Sequence, residues 1–365
     1  MTRVLFIRYK KSNSILDGGE QVAEMHHHAL VQLFEKDCVD TYYLHSQDKK
    51  RSVLDYLRGV LYFPFNYHFG LTPKKVKKIC ATARSYDIVF IDRSVFGLIA
   101  KKLKASGYKG KIAVFFHNIE ALYFDSKISK RNPFRNVIIR CADRNDVYSC
   151  QYADKVIALN KRDDDKLFEC YGRHADALIP IVFRDKYKAT STDDAYTRMK
   201  PECLFIGSNF APNNEGLLWF VKNVLPHVDI EFKVVGKGME SLKEEEEMLR
   251  DIEVIGSVPD LAPYLIEADL MILPIFKGSG MKVKTCESLM FGKNILGTDE
   301  AFEGYDADYD RIGGKCNTAD EFIEKINAFI AVPRPRFNTY SRSLYLERYS
   351  EDTMLQSLKR VLFED

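Results

Sequence analysis

The residues best suited to chemistry in this chain follow a short glycine loop near position 280. Lys284 lies about one helical turn beyond Gly278-Ser279-Gly280, and Glu287 follows three residues later. Glycines let backbone N–H groups approach an anion closely, and the N-terminus of a following helix attracts negative charge. Lys284 could therefore contact a phosphate, while Glu287, on the same helix face, could accept hydrogen bonds from paired hydroxyls. This pair suits a sugar nucleotide, although its spacing also fits a surface ion pair.

The elements around this loop are predicted as strand, loop, helix and strand. Leu270 to Pro274 is a short apolar run, which is typical of a buried parallel strand. Apolar residues at helical spacing predict a helix from Met281 to Phe291 that stops at Gly292. Asn294 to Gly297 predicts the next strand. The glycine loop is therefore expected at the carboxyl end of a parallel strand, where such sheets bind ligands.

These residues also carry a family resemblance. The run from Gly278 to Lys293, followed by Gly297-Thr298 and Glu303-Gly304, resembles the donor-binding signature of retaining GT-B glycosyltransferases of the family-four group, glycosyl transferases group 1. Leu204 to Phe220 resembles the opening of that family's C-terminal domain. Gly256 to Asp269 resembles the segment before the donor loop. The resemblance is strong across these segments and loose in the N-terminal half.

Strands and helices alternate along the whole sequence, which predicts parallel sheets covered by helices on both faces. A polar, irregular stretch between Phe183 and Lys200 predicts an interdomain linker. The resemblance implies an α/β, GT-B fold with two facing Rossmann-like domains and a C-terminal helix that crosses back. We expect an N-terminal acceptor domain over residues 1–185, completed by the crossing helix over 344–365. The nucleotide-sugar donor domain is expected over 200–340.

His117 is the candidate from the N-terminal half, because it directly follows the predicted strand Lys111 to Phe116. An imidazole there could donate a hydrogen bond to a sugar hydroxyl. Phe115 to Tyr123 resembles the loop with which family members place a histidine beside the transferred sugar. A histidine that caps the sheet edge is the alternative, and Glu120 could simply begin the next helix.

The resemblance implies a role for each candidate site residue. Lys284 would bind the donor diphosphate, Glu287 the ribose hydroxyls and His117 the transferred sugar. Glu215 is expected to border the same cleft. The remaining candidate donor contacts lie in glycine turns and at strand ends: Gly18, Gly19, Gly207, Ser208, Gly236, Ser257, Val258, Gly278, Ser279, Gly280 and Met281.

Two positions depart from the family pattern. Many members carry an acidic residue before the glycine loop, but Lys277 stands there, so only Glu287 remains of a paired-glutamate motif. Basic residues that often hold phosphate after the first strand of the C-terminal domain are replaced by Ser208 and Asn213. We therefore expect Lys284 to carry more of the phosphate contact.

No metal ion or cofactor is expected. The acidic runs Asp163-Asp164-Asp165 and Asp306-Ala307-Asp308 are not predicted on a strand-end loop, where a divalent ion would sit beside a diphosphate. The consecutive residues His26, His27 and His28 point in different directions from a helix, which predicts surface and packing positions rather than a metal face. The nucleoside diphosphate sugar enters only as the donor substrate.

Composition limits the partners. The 365 residues carry a net charge of only +2, which argues against a dedicated nucleic-acid binder. Eight cysteines without a C-x-x-C pair fit a cytoplasmic protein. No signal peptide or transmembrane span is predicted, so the protein is expected to be soluble or peripheral on the inner face of the plasma membrane.

Two N-terminal stretches are candidates for acceptor contacts. Arg131, Arg135 and Arg140 alternate with apolar residues, which suits a helix on an anionic membrane surface, although a solvated basic face is the alternative. The aromatic stretch from Tyr56 to Phe69 has no clean period. It fits either a loop that touches lipid or glycan, or a buried helix pair.

The resemblance implies retaining transfer of a hexose from a nucleoside diphosphate sugar, such as a UDP-sugar, to a hydroxyl acceptor. That acceptor would be a lipid-linked or polysaccharide glycan in bacterial cell-surface polysaccharide synthesis. Neutralising the leaving diphosphate would lower the barrier to C1–O cleavage. Two alternatives remain open: an inactive module that binds a glycan or a partner enzyme, and a sugar-nucleotide epimerase.

Overall fold

The computed structural model describes residues 1–10, 18–45, 61–189, 195–278 and 280–364. Ser279, a predicted donor contact, and Tyr56 to Val60 of the aromatic stretch lie outside these residues. The chain divides into two compact units, Met1–Val182 with Glu351–Asp365, and Phe183–Ser350. Each unit contains a six-stranded parallel sheet flanked by helices, which confirms the predicted α/β fold.

The first domain has its six strands in the order β2-β1-β3-β4-β5-β6. The order reverses between β1 and β3, and in open α/β sheets ligands bind outside the carboxyl ends of the strands at such a switch point. The strands are β1 (Val4–Lys10), β2 (Val39–His45), β3 (Ile88–Ile91), β4 (Lys111–Phe116), β5 (Lys155–Ala158) and β6 (Ala177–Leu178), and the helices are α1 (Gly18–Phe34), α2 (Pro73–Ala83), α3 (Gly97–Ala105), α4 (Glu120–Lys127), α5 (Arg135–Tyr152) and α6 (Lys161–Tyr171).

Apolar sequence places these strands in the middle of the first domain. Ile88–Ile91 is buried at every position, as expected for a parallel strand covered on both faces. Helix α2 begins where Thr72 accepts a hydrogen bond from the Lys75 N–H and Pro73 occupies the first turn. Asn160 caps α6 in the same way through the Asp163 N–H.

The second domain has the order β12-β11-β10-β7-β8-β9, with its switch point between β7 and β10. Every strand pairing is parallel. The strands are β7 (Glu202–Ile206), β8 (Glu231–Val235), β9 (Glu253–Ile255), β10 (Leu270–Leu273), β11 (Asn294–Gly297) and β12 (Gly313–Lys315), and the helices are α7 (Ala211–Asn223), α8 (Met239–Glu245), α9 (Ala262–Glu267), α10 (Val283–Met290), α11 (Tyr309–Ile312), α12 (Ala319–Ala331) and α13 (Thr339–Leu344).

The C-terminal helix differs from the single helix predicted over Leu344 to Leu362. Helix α13 passes into a π-helical turn, Tyr345–Tyr349, and the chain is extended at Ser350 before α14 (Glu351–Phe363) begins. The Tyr345 hydroxyl donates to the carbonyl of Phe183 at 2.7 Å, and the Tyr349 hydroxyl accepts from the Asp306 N–H at 3.0 Å. These bonds hold both tyrosines in the second domain, which explains a break at this point.

Helix α14 belongs to the first domain, as the predicted crossing helix requires. Its Glu351 pairs with His28 of α1, and Lys111 of β4 donates to the carbonyl of Leu362 at 2.8 Å. Phe183 and Ser350, the first and last residues of the second domain, form a parallel bridge. The segment predicted as a linker after Phe183 is grouped with the second domain.

Candidate active site

The switch point of the second domain is built by close backbone packing. A Cβ atom on Gly216 of α7 would lie 1.8 Å from the Pro274 carbonyl, so only glycine lets this helix lie against the end of β10. Gly207 ends β7, and its N–H donates to the Val235 carbonyl of β8 at 3.0 Å. Helices α7 and α10 follow the two strands that flank the switch point.

Lys284 reaches across this switch point. Its Nζ donates to Asn213 Oδ1 of α7 at 2.6 Å and lies 4.9 Å from the centre of the Phe205 ring. Burial lowers the pKa of Lys284 to about 7, and the charge of Lys282 adds to the effect. A bound anion would restore the proton on this amine, so the site is electrostatically suited to a phosphate.

Glu287 lies three residues along α10 and is half-buried. Burial raises the pKa of its carboxyl to about 7, opposed by the charges of Lys186 and Lys284. Among the described residues, neither a hydrogen bond to this carboxylate nor an ion pair between it and Lys284 is found. The interpretation as an ordinary surface ion pair is therefore wrong, and both carboxylate oxygens of Glu287 can accept from ligand hydroxyls.

Side chains of the segment after β11, Glu300 and Tyr305, bond to Lys282 at the end of the glycine loop. Lys282 Nζ donates to the Gly280 carbonyl at 2.7 Å and to Glu300 Oε1 at 2.6 Å, and the Lys282–Glu300 pair is largely buried. The Tyr305 hydroxyl donates to the Lys282 carbonyl at 2.7 Å. Gly280 has a φ of +67°, a left-handed conformation that glycine adopts without strain. A Cβ atom on Gly278 would lie 3.0 Å from Lys282 Cε, and Met281 is buried.

Gly236 and Ser208 lie beside the switch point as well. A Cβ atom on Gly236 would lie 1.9 Å from the Gly207 carbonyl, so the turns after β7 and β8 touch through their backbones. Ser208 is exposed, and its carbonyl accepts from Asn213 Nδ2 at 2.9 Å. Asn213, which stands where the family often has a basic residue, thus links the β7 turn to Lys284.

Ser257 and Val258 lie further away than the other candidates. They follow β9, the edge strand of the second sheet, whereas the switch point lies between β7 and β10. Ser257 is exposed and Val258 is half-buried. Two strand positions therefore separate this pair from Lys284, and a ligand that touched both would have to extend along the carboxyl edge of the sheet.

Glu215 is paired with the residue that departs from the family pattern. Lys277 Nζ lies 2.8 Å from Glu215 Oε2, and the two side chains are 72% and 55% exposed. Lys277 therefore supplies a positive charge before the glycine loop, and Glu215 balances it from α7. An exposed pair of this kind contributes little stability.

His117 occupies the carboxyl end of β4 in the first domain, together with two residues that the sequence did not single out as a group. His26 Nδ1 lies 2.7 Å from Asp92 Oδ1, and His117 Nε2 lies 3.4 Å from the same oxygen. All three side chains are buried. His26 is thus fully buried, one of the packing positions expected for this run of histidines, and it pairs with Asp92. Gly18 and Gly19 begin α1, which carries His26.

Charge in this cluster favours an ionised carboxylate. Burial alone would raise the pKa of Asp92, but His117 and His26 hold it well below its usual range. Burial lowers the pKa of His117, opposed by Asp92 and supported by the charge of Arg93. His117 is therefore a neutral imidazole near pH 7.

The same three residues are one group of described side chains whose nitrogen and oxygen atoms could surround a metal ion, since these atoms lie within 4.8 Å of one another. The 2.7 Å separation of His26 Nδ1 and Asp92 Oδ1 is a hydrogen-bond distance. An ion coordinated by both atoms at about 2 Å would need them further apart. The geometry fits a hydrogen-bonded cluster better than a metal centre.

Comparison with known proteins agrees with this geometry. Residues 200–331 match the family model described as Glycosyl transferases group 1. This match covers most of the second domain. No curated protein matches the sequence. The matched residues include the switch point and the entire glycine loop, as the sequence resemblance predicted.

Solved GT-B structures resemble the whole chain. Anabaena Alr3699/HepE in complex with UDP is 15% identical, with 99% of each chain covered and a TM-score of 0.66. A glycosyltransferase from Rickettsia africae ESF-5 is 15% identical over 100% of each chain, with a TM-score of 0.64. The lipopolysaccharide outer core galactosyltransferase WaaB, in its apo form, is 14% identical over 99% of each chain, with a TM-score of 0.60. These similarities confirm the GT-B fold.

Several residues around the second domain's switch point were not singled out from the sequence. Phe205 and the Lys282–Glu300 pair join the site only through contacts made in the folded domain. In the first domain Asp92 was likewise missed, although its position directly after an apolar strand is a usable signal.

Across the described part of the chain, every helix is too short or too polar to span a lipid bilayer.

Proposed function

We propose that the protein is a retaining glycosyltransferase that moves a hexose from a nucleoside diphosphate sugar to a hydroxyl acceptor. The observation that carries this proposal is the desolvated Lys284, held by Asn213 at the switch point of a group 1 domain, with the uncommitted Glu287 carboxylate on the same helix. A diphosphate and a ribose are the two chemical groups that this pair would recognise. Because Alr3699/HepE was solved with UDP and with UDP-glucose, a UDP-sugar is the first donor to test.

In this proposal Lys284 acts mainly on the leaving group. Negative charge develops on the diphosphate as the C1–O bond breaks, and a fixed cation in a desolvated site stabilises that charge more than it stabilises the bound donor. The glycine loop, pinned through Lys282, would place backbone N–H groups near the same phosphates. Glu287 would hold the ribose hydroxyls equally in the ground state and the transition state.

We propose retention of the anomeric configuration because of the family resemblance. In the family that the sequence resembles, the departing phosphate is thought to take the acceptor's proton on the same face of the sugar, so a dedicated carboxylate base is not required. His117 would contact a hydroxyl of the transferred sugar. We expect no metal or cofactor to take part, so turnover should survive EDTA.

The acceptor in this proposal is a lipid-linked or polysaccharide glycan of the bacterial cell surface, presented at the inner face of the plasma membrane. The described part of the first domain offers exposed apolar side chains, Leu61 at 70% and Phe65 at 68% exposure, that a lipid or glycan could cover. Lys130, Arg131 and Arg140 are exposed basic residues of the same domain. WaaB, one of the similar structures, is named for lipopolysaccharide outer core galactosyl transfer.

The testing experiment is incubation with a panel of UDP-, GDP- and ADP-sugars, with and without glycan acceptors. Release of a nucleoside diphosphate, with the anomeric configuration of the product followed by NMR, is the expected result, and the anomer should be that of the donor. An inverted product would contradict retention. Conversion of the sugar without nucleotide release would identify an epimerase, and binding without any turnover would identify an inactive module.

A further inference from the structure

Asp92 has no role in the sugar transfer described so far, yet it is a buried carboxylate that two histidine rings face. It follows β3 at the carboxyl edge of the sheet and is 2% exposed. His26 approaches from α1 and His117 from the end of β4, so three different elements converge on one oxygen atom. Such convergence fixes the positions of all three side chains.

The chemistry of a carboxylate determines where the hydrogens lie. An ionised Asp92 only accepts, so the ring nitrogens that face it, His26 Nδ1 and His117 Nε2, each carry hydrogen. In a neutral imidazole the other ring nitrogen is then an acceptor. His117 is therefore the Nε2–H tautomer, and its Nδ1 lone pair points away from Asp92.

His26 braces this arrangement. Its ring lies 4.2 Å from the Phe115 ring and 5.7 Å from the Phe90 ring, between centroids. Among the described residues, His26 Nε2 and His117 Nε2 are both buried without a hydrogen-bond partner. The His26–Asp92 bond is short at 2.7 Å, whereas the 3.4 Å separation of His117 Nε2 from the same oxygen is longer than a hydrogen bond. At that separation a ring N–H facing the carboxylate is favoured over a lone pair, which the negative charge would repel. Contacts of this kind often tighten only when substrate binds.

We propose that Asp92, braced by His26, is a positioning residue that fixes the tautomer of His117, so that His117 Nδ1 accepts a hydrogen bond from a hydroxyl of the transferred sugar. This inference rests on the proposed function. It reverses the direction of the hydrogen bond expected from the sequence, in which the imidazole donates. The sugar must therefore carry a hydroxyl hydrogen at the position that meets Nδ1.

The first test examines the tautomers in the folded protein without any substrate. Proton–nitrogen correlation NMR of ¹⁵N-histidine-labelled protein at pH 8, with signals assigned through His117→Gln and His26→Gln, should show Nε2–H on His117 and Nδ1–H on His26. Asp92→Leu removes the acceptor oxygen from both rings, so at least one of the two tautomers should change. An Nδ1–H tautomer of His117 in the unsubstituted protein would overturn the proposal.

The second test is kinetic and uses whichever donor sugar the panel identifies. Asp92→Leu should lower kcat at least tenfold, and in a His117→Ala background the same substitution should change kcat by less than twofold. Asp154→Leu is the control, because this carboxylate of the first domain accepts the Ile112 N–H and pairs with Lys104 but does not touch His117. It should lower the melting temperature and leave kcat within twofold.

The two tests separate this inference from the proposed function. If no nucleoside diphosphate sugar turns over, the function fails while the NMR result still decides the tautomer. If the donor turns over normally in Asp92→Leu, or if Asp92→Leu and His117→Ala reduce kcat independently, the positioning role is overturned and the function stands.

Discussion

Lys284 and Glu287 owe their reactivity to burial rather than to each other. Both pKa values are shifted toward 7, in opposite directions, because each charged form loses solvation at the switch point. Burying these two ionisable groups costs folding free energy, because the Asn213 amide oxygen compensates Lys284 only in part and no donor among the described residues bonds to Glu287. Binding of a ligand that carries a diphosphate and a diol would offset this cost.

The first prediction separates the two side chains kinetically. Lys284→Ala should lower kcat by an amount equivalent to about 2–4 kcal/mol, because the charge matters most as the diphosphate leaves. Glu287→Gln should raise donor KM about tenfold with little change in kcat, because hydrogen bonds to ribose are the same in both states. Steady-state kinetics of nucleotide release measures both. Unchanged kinetics with a lowered melting temperature in both variants would make the pair purely structural.

A pH dependence follows from the same two groups. Glu287, with its pKa raised to about 7, becomes charged as the pH rises through that value, and Lys284, with its pKa lowered to about 7, loses its charge above it. If both charges are needed, kcat/KM for the donor should be bell-shaped with its maximum near pH 7. Glu287→Gln should abolish only the fall of kcat/KM on the acidic side, because the variant no longer has a carboxylate to protonate there. A flat profile between pH 5.5 and 8.5 would show that these groups do not control donor capture.

At this scale the sequence was informative only over short distances. Lys284 and Glu287 were predicted because glycine-loop chemistry and helical spacing are local signals. Asn213 lies 71 residues from Lys284, and Asp92 lies 66 residues from His26, so neither contact could be predicted without the sheet order. Their importance comes from parallel strands that bring distant loops to one edge.

At the scale of elements, the glycine loop depends on a backbone conformation as much as on side chains. Gly280→Ala should strain the left-handed residue, at a cost of about 1–2 kcal/mol, and raise donor KM by displacing the loop. Gly107→Ala is a matched control, since Gly107 has a φ of +77° and open space around its Cβ position. Both variants should lose similar stability in thermal melts. An equal rise of donor KM in both would contradict a specific role of the loop.

Most elements were predictable because their signals are strong and periodic. The strands are short apolar runs that end at glycine or a polar residue, and the helix after the glycine loop has apolar residues at the expected spacing. The division of the C-terminal helix was not predictable. It depends on Tyr345 and Tyr349, whose hydroxyls bond to Phe183 and Asp306, 162 and 43 residues away. Helical propensity alone favours a continuous helix there.

At the scale of the whole molecule, the basic surface of the first domain bears on the acceptor. Arg135 was expected to face a membrane together with Arg131 and Arg140, but its guanidinium bonds to Asp125 and to the Ile128 carbonyl. The Arg135 side chain is therefore bonded within the first domain and is less available to a membrane. Lys130, which is exposed, is tested in its place together with Arg131 and Arg140.

Vesicle binding tests this surface. Each basic residue near an anionic bilayer contributes about 1 kcal/mol, so Lys130→Gln, Arg131→Gln and Arg140→Gln together should abolish sedimentation with phosphatidylglycerol vesicles at low salt. A triple variant of the exposed residues Lys74, Lys77 and Lys109 changes the net charge equally and should still sediment. If the original protein stays in the supernatant at low salt, a water-soluble acceptor is favoured.

The central claim is that the switch point of the second domain binds a nucleoside diphosphate through Lys284. Titration calorimetry with UDP and with uridine measures this directly, because the ratio of their affinities isolates the diphosphate contribution. We predict that UDP binds far more tightly than uridine, that Lys284→Ala reduces this ratio by at least about tenfold, equivalent to about 1.4 kcal/mol, and that Glu287→Gln weakens both ligands equally. An undiminished ratio in Lys284→Ala, or no binding of UDP to the unaltered protein, would contradict the claim.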